Sequence, residues 1–226
     1  FERALGERNP EVFIQILRDC GALKKLLPEV DVLFGIPQPA EHHPEIDTGE
    51  HVLMALQQAT ALSLDTDVRF AALLHDLGKG TTPQSEWPRH IAHEQRGSKI
   101  VKDVCQRLRA PRRHSELAQT VCEHHILCHR ARELRGKTLL KLLNACDALR
   151  RPERFEAFLL ACEADARGRT GLEQRDYPQA SYLRQALAAA QKVTAQQFDT
   201  KALTGKALGE AISAERIQVL ETLRPQ

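Results

Sequence analysis

The chain has 226 residues, 42% hydrophobic and 27% charged, a balance that suits a folded globular protein and excludes a disordered one. Thirty-two Lys and Arg against thirty Asp and Glu leave a formal charge of +2, which excludes a broadly polycationic nucleic-acid coat but not local basic patches. No apolar run is long enough for a bilayer, no signal segment opens the chain, and six scattered Cys without a C-x-x-C predict reduced, cytoplasmic thiols.

In chain order, Val12, Ile16 and Leu17 share one helical face that breaks at Gly21, and Leu23, Leu26 and Leu27 follow before Pro28. Three Pro within residues 35–44 exclude a helix there, and the stretch is taken as a first boundary. Thr48 is a candidate N-cap for a helix carrying Val52, Leu53, Leu56 and Ala59. Asp67 is the cap candidate for the next, which runs through Ala71, Leu74 and His75 and is ended by Gly78. A polar loop with Pro83 and Pro88 leads to helices near 91–108, 112–129, 137–150 and 153–166, punctuated by Pro111, Gly136 and Pro152. After a basic loop at residues 167–171 come two Ala- and Leu-rich helices near 180–197 and 206–223. Aromatic residues are only 4%, strand alternation is lacking, and the predicted fold is all-α.

All ten His fall between residues 42 and 129. The informative segment is Leu73-Leu-His-Asp-Leu-Gly-Lys-Gly80. A His-Asp pair at the end of an apolar helix costs free energy unless it is paired or bound to metal. Gly78 lets the chain turn sharply and brings Lys79 near whatever His75 and Asp76 hold. His51 lies upstream in the first turn of its own helix, and Asp147 is a polar residue on an otherwise apolar one. Between them lie His90, His93, His124 and His125. Imidazole and carboxylate together suit Mn, Fe, Co, Ni or Zn, with Mg reachable through carboxylates and water.

With His51, His75-Asp76 and Asp147 in this order, and the tail Gly78-Lys79, the sequence resembles the HD superfamily of metal-dependent phosphohydrolases. The resemblance implies a helical bundle and metal ligation by His51, His75, Asp76 and Asp147, with His93, His124 and His125 as candidates for a second metal. A further resemblance rests on Arg18-Asp-Cys-Gly-Ala-Leu, Leu27-Pro-Glu-Val-Asp, His43-Pro-Glu-Ile-Asp-Thr-Gly-Glu-His51, Trp87-Pro-Arg-His, Ala164-Asp-Ala-Arg-Gly-Arg-Thr-Gly and Asp176-Tyr-Pro-Gln. These are similar to the C-terminal half of bacterial multifunctional CCA-adding enzymes (tRNA nucleotidyltransferases). That likeness divides the chain into residues 1–40, the end of a tRNA-binding neck and body; 41–166, the HD phosphohydrolase; and 167–226, a C-terminal helical extension. The family's Gly-Gly-x-Val-Arg-Asp loop and paired-Asp strand are not found, and Asp65-Thr-Asp67 precedes a helix, so the chain alone is not expected to add CCA. Its start at Phe1 suits a C-terminal piece.

The activity implied is hydrolysis of phosphoesters, including 2′,3′-cyclic phosphodiesters and 2′-nucleotides, in tRNA 3′-end maturation and repair. Asp76 would orient or deprotonate the attacking water. Lys79, with Arg167 or Arg169, would meet the phosphoryl oxygens. The cofactor is a divalent metal (Ni, Mg, Mn or Co), and the partners are a tRNA 3′ end or nucleotide phosphoesters. A second copy packed on the Ala-rich C-terminal helices would make a homodimer. Relatives can carry Asp where Ile126 stands, which would pass that role to His124, His125 or Asp147. The competing class is a non-catalytic tRNA-positioning or dimerisation module with a vestigial site.

Overall fold

The computed structural model describes residues 1–200 and 202–225. Among them are twelve α-helices and no β-strand: α1 (Glu2–Leu5), α2 (Pro10–Asp19), α3 (Leu23–Leu26), α4 (Pro28–Asp31), α5 (Thr48–Leu62), α6 (Thr66–Leu74), α7 (His93–Leu108), α8 (Arg112–His129), α9 (Gly136–Ala145), α10 (Pro152–Arg167), α11 (Pro178–Lys192) and α12 (Gly205–Thr222). The all-α architecture read from the sequence is the one observed. None of the helices is long and apolar enough to cross a membrane.

The chain forms two units, the first from Phe1–His125 with Ala157–Asp176, the second from Ile126–Glu156 with the chain from Tyr177 onward. In the first, α5 packs along α6, and Val52, Leu56, Ala59, Phe70, Leu73 and Leu74 are fully or almost fully buried. Each large side chain so buried is worth about 1.5–3 kcal/mol. Every residue of α6 from Asp67 to Leu74 is buried, so this helix is a core rod rather than a surface amphipath. Its one cation, Arg69, is satisfied by three carbonyls: Leu5 at 2.7 Å, Glu7 at 3.0 Å and Ser63 at 3.1 Å. Because α6 runs through the core, whatever follows Leu74 emerges in the interior.

The caps differ from the expected ones by one or two residues. Asp47, not Thr48, caps α5, accepting from the Gly49 and Glu50 amides, while Thr48 is buried and donates to Ile36 O. Asp65 caps α6 by accepting from the Asp67 amide. In the second unit α9 packs on α12 and α11, and α9 stops at Ala145, five residues short of the expected end. The reason lies in the backbone. Asp147 has φ +54, its amide donates to Asn144 O, and the Ala148 amide donates to Leu143 O at 2.8 Å. This is a Schellman ending, in which the left-handed position accepts Asp or Asn where Gly is not used.

Candidate metal centre

Four buried imidazoles share one arrangement. His51, in the first turn of α5, places Nδ1 2.9 Å from Gly168 O. His75, the residue after α6, places Nδ1 2.7 Å from Ala72 O. His93, the first residue of α7, places Nδ1 2.8 Å from His90 O. His125, on α8, places Nδ1 3.1 Å from both Val121 O and Cys122 O. A carbonyl only accepts, so each Nδ1 carries a proton, and each Nε2 presents a lone pair when its ring is neutral. All four belong to the first unit.

These Nε2 atoms converge on two carboxylates. His51 Nε2 is 3.2 Å from Asp165 Oδ1 and 3.8 Å from Asp76 Oδ2. His75 Nε2 is 3.2 Å from Asp76 Oδ2 and 3.7 Å from Asp165 Oδ1. On the other side of Asp76, His93 Nε2 is 3.3 Å and His125 Nε2 3.7 Å from Oδ1. The side chains therefore form two adjoining groups, His51–His75–Asp165 and Asp76–His93–His125, each with ligand atoms within 4.8 Å of one another. Asp76 touches both groups, one oxygen each.

The donor set fits a cation. The Nε2 atoms of His51 and His75 and Oδ1 of Asp76 are buried without a hydrogen-bond partner, a costly state that a metal or a proton relieves. His93 and His125 face each other Nε2 to Nε2 at 3.3 Å, two lone pairs with no proton between them when both rings are neutral. Imidazole nitrogen with carboxylate oxygen is the chemistry of borderline divalent metals.

Charge in the pocket follows the same logic. Burial alone would lower the His75 pKa, but the Asp76 and Asp165 carboxylates outweigh it and raise it to about 9. Burial would raise the Asp76 carboxyl, yet His75 and Lys79 hold it well below the usual range. Burial, reinforced by the His75 charge, pushes His125 well down. Without metal, His75 carries the cation; a metal must displace its proton. Metal uptake near pH 7.5 is therefore expected to release close to one proton from His75. The apparent affinity should rise about tenfold per pH unit between 7 and 9 and flatten above 9. Calorimetry in buffers of different ionisation enthalpy measures the released proton directly, and affinity that does not change with pH would contradict this.

Glycines allow the close approach of these elements. Gly78 lies against the first turn of α7, where a Cβ would sit 1.9 Å from His93 O and 2.7 Å from the Gly97 amide. This contact brings His93 up to Asp76. At Gly168, a Cβ would fall 2.5 Å from the Ala55 amide, so only Gly lets the turn after α10 bring its carbonyl to His51.

Of the residues singled out in the sequence, His51, His75, Asp76, His93 and His125 are brought together. Lys79 is beside them, nearly buried, its Nζ 2.6 Å from Asp76 Oδ2 and hydrogen-bonded to Gln38 Oε1. His124 is not in either group; its ring lies 3.8 Å from Glu123 and is partly exposed. Asp147 requires a correction. It lies in the second unit, at the left-handed position that ends α9, with its carboxylate bonded by Arg150 at 2.7 Å and Arg151 at 3.4 Å. Asp165, on α10, stands where Asp147 was expected. Arg167 is held by Glu163 at 2.8 Å and by Arg175 O. Arg169 instead reaches Asp165 Oδ1 at 3.4 Å and His42 O at 3.2 Å, with a buried Nε lacking a partner. Asp65 and Asp67 are the cap of α6 and the partner of His114 and Arg113. His90 is structural, bonded to Thr82 Oγ1 and Pro37 O.

The sequence reading also missed residues 35–47. The three prolines do exclude a helix, but the segment is pinned to the site. The Gly35 amide donates to Asp47 Oδ2, the Gln38 amide to Ile46 O, and the Thr48 amide to Ile36 O. Its Gln38 holds Lys79, and its Glu45 lies 3.1 Å from His51 Nδ1.

Residues 48–151 match the HD domain family. The chain is 56% identical over 222 residues to a "Multifunctional CCA protein" of Teredinibacter turnerae, covering 98% of this chain and 54% of that protein. It is 57% identical over 222 residues to one of Pseudomonas syringae, with the same coverages. With one of Thioalkalivibrio sulfidiphilus the identity is 56% over 225 residues, 100% of this chain and 55% of the relative. The chain spans about half the length of the curated relatives it matches.

Proposed function

We propose, for a chain that carries an HD domain and is homologous along its length to part of the multifunctional CCA proteins, that the site is a divalent-metal phosphohydrolase centre. Its substrates would be phosphoesters at or near a tRNA 3′ end, 2′,3′-cyclic phosphodiesters and 2′-nucleotides among them. The observation that carries this reading is the convergence of four Nδ1-bonded imidazoles, Nε2 inward, on Asp76 and Asp165.

His51, His75, Asp165 and Asp76 Oδ2 would hold one metal, and Asp76 Oδ1, His93 and His125 a second; Mn, Ni, Co and Mg fit the donor set. A bound divalent cation supplies polarisation of a phosphoryl oxygen and a lower pKa for water. The protein's own residues do the rest. Asp76, ionised and touching both groups, orients the attacking water between them. Lys79 has three N–H groups; two go to Asp76 and Gln38, and the third serves a phosphoryl oxygen. Arg169 keeps Asp165 in place and offers its unpartnered Nε to the same phosphate. A chain acting on tRNA would work in the cytoplasm.

The test is turnover of bis-p-nitrophenyl phosphate and 2′,3′-cAMP by the purified chain with Mg, Mn, Ni or Co. Metal-dependent hydrolysis lost in both His75→Ala and Asp76→Ala is expected. No turnover with any metal, or turnover unchanged in both variants, would remove the enzyme reading and leave a tRNA-positioning module. Within the same assay, Arg169→Ala is expected to lower kcat/KM about 10–100-fold, the worth of one charge-assisted contact of about 1.5–3 kcal/mol. Arg167→Ala, which loses only a contact to Glu163 and one to a carbonyl, should stay within about twofold.

A further inference from the structure

Behind His51 lies a second layer of polar side chains that the hydrolytic reading does not use. Glu45 is 4% exposed, and its Oε1 is 2.9 Å from His43 Nδ1 and 3.1 Å from His51 Nδ1. Its Oε2 is buried without a hydrogen-bond partner. The rings of His43 and His51 meet edge to face, centroids 4.7 Å apart. These three residues form a third group with ligand atoms within 4.8 Å of one another.

The group has the composition of a metal site but not the protonation of one. To ligate there, His51 would have to use Nδ1, whose proton is directed at Gly168 O at 2.9 Å. That bond leaves the His51 lone pair on Nε2, on the side of His75 and Asp165. Gly168 O accepts the Nδ1–H of His51, and Glu45 Oε1 lies 3.1 Å from the same nitrogen. A carbonyl alone would set the tautomer. The carboxylate adds a negative charge at the back of the ring, which makes Nε2 a stronger donor.

We infer that Glu45 is a positioning residue for the metal centre, its charge strengthening the His51 Nε2 as a ligand, with His43 holding the carboxylate in place. The inference rests on the proposed metal reading of the site. It assigns to the proline-rich segment before α5 a direct part in metal affinity. Glu45 acts only through His51 and touches neither substrate nor metal.

The experiment is Co(II) titration of metal-stripped protein, followed by the visible spectrum, for the wild type, Glu45→Gln and Glu45→Asp. Long-range 1H–15N NMR of the imidazoles in the stripped wild type accompanies it. Glu45→Gln keeps the shape and removes the charge, so Co(II) affinity should fall about 10–100-fold, with the apo far-UV spectrum unchanged. Glu45→Asp, which restores the charge, should recover part of that loss. The wild-type NMR should show His51 protonated on Nδ1. Equal Co(II) affinity of wild type and Glu45→Gln, or a His51 proton on Nε2, would overturn the inference and leave the metal centre standing. A wild type that binds no Co(II) would overturn both.

Discussion

Asp165→Ala should lower metal-dependent phosphodiester turnover by about 10³-fold or more, while Asp147→Gly should stay within about twofold of wild type. The first figure follows from ligand loss, since even partners behind a ligand are worth about 10–100-fold. Removing Asp165 leaves His51 without its 3.2 Å neighbour and Arg169 without its carboxylate. The second follows from the backbone. Asp147 is a partly exposed residue in the left-handed position that ends α9, where Gly is the favoured occupant, so the substitution costs only its ion pairs with Arg150 and Arg151. The two variants compared in kcat/KM, with far-UV spectra to show that both fold, decide which aspartate belongs to the centre. Loss of activity in Asp147→Gly with retention in Asp165→Ala would reverse the assignment.

Gly78→Ala should both destabilise the protein and detach one half of the centre. A methyl at position 78 meets His93 O at 1.9 Å and the Gly97 amide at 2.7 Å, backbone atoms that cannot rotate away. Forcing α7 outward costs ~3 kcal/mol, which for a chain of this size lowers Tm by about 6–12 °C. His93 moves with α7, so metal content should fall even in the fraction that stays folded. Gly209→Ala in α12 is the control: an added Cβ meets nothing within 4 Å, and Ala gains about 0.5–1 kcal/mol in a helix interior. A Gly78→Ala protein with wild-type Tm and metal content would mean that this contact does not position His93.

The all-α fold was legible because apolar residues recur at helical spacing and Gly21, Gly78, Pro111, Gly136 and Pro152 punctuate the segments. His75-Asp76 was legible because a His-Asp pair closing the apolar run Phe70–Leu74 has no structural reason to be there. Asp147 was singled out as a polar residue on an apolar helix that suits the resemblance; Asp165, equally a polar residue on an apolar helix, was not weighed. What separates them is phase. Phe158, Ala161, Cys162 and Asp165 recur at intervals of three and four along α10, so Asp165 sits on the buried face. Asp147 lies beyond the end of α9, where phase has no meaning, and that end depended on a left-handed residue the expected helix ran through. His93 and His125 were named without being distinguished from His124. The choice between 124 and 125 is one step of a helix, about 100°, and only the packing of α8, which sets the His125 ring against those of His75 and His93, shows which one turns inward. Gln38 left no sequence signal, because its contact crosses to Lys79, 41 residues along the chain; Glu45 lay inside the quoted stretch His43–His51, but nothing in the spacing showed its carboxylate turned to the two rings.

In the proposed centre His51, His75, Asp76 and Asp165 hold one divalent metal, with His93 and His125 completing a second site on Asp76. Metal stoichiometry by mass spectrometry, after chelator stripping and reloading with Mn or Ni, tests it most directly. Close to two metals per wild-type chain, one in His93→Ala, and none in Asp76→Ala are expected. A wild-type chain that retains no stoichiometric metal, or an Asp76→Ala chain that retains it in full, would contradict the account.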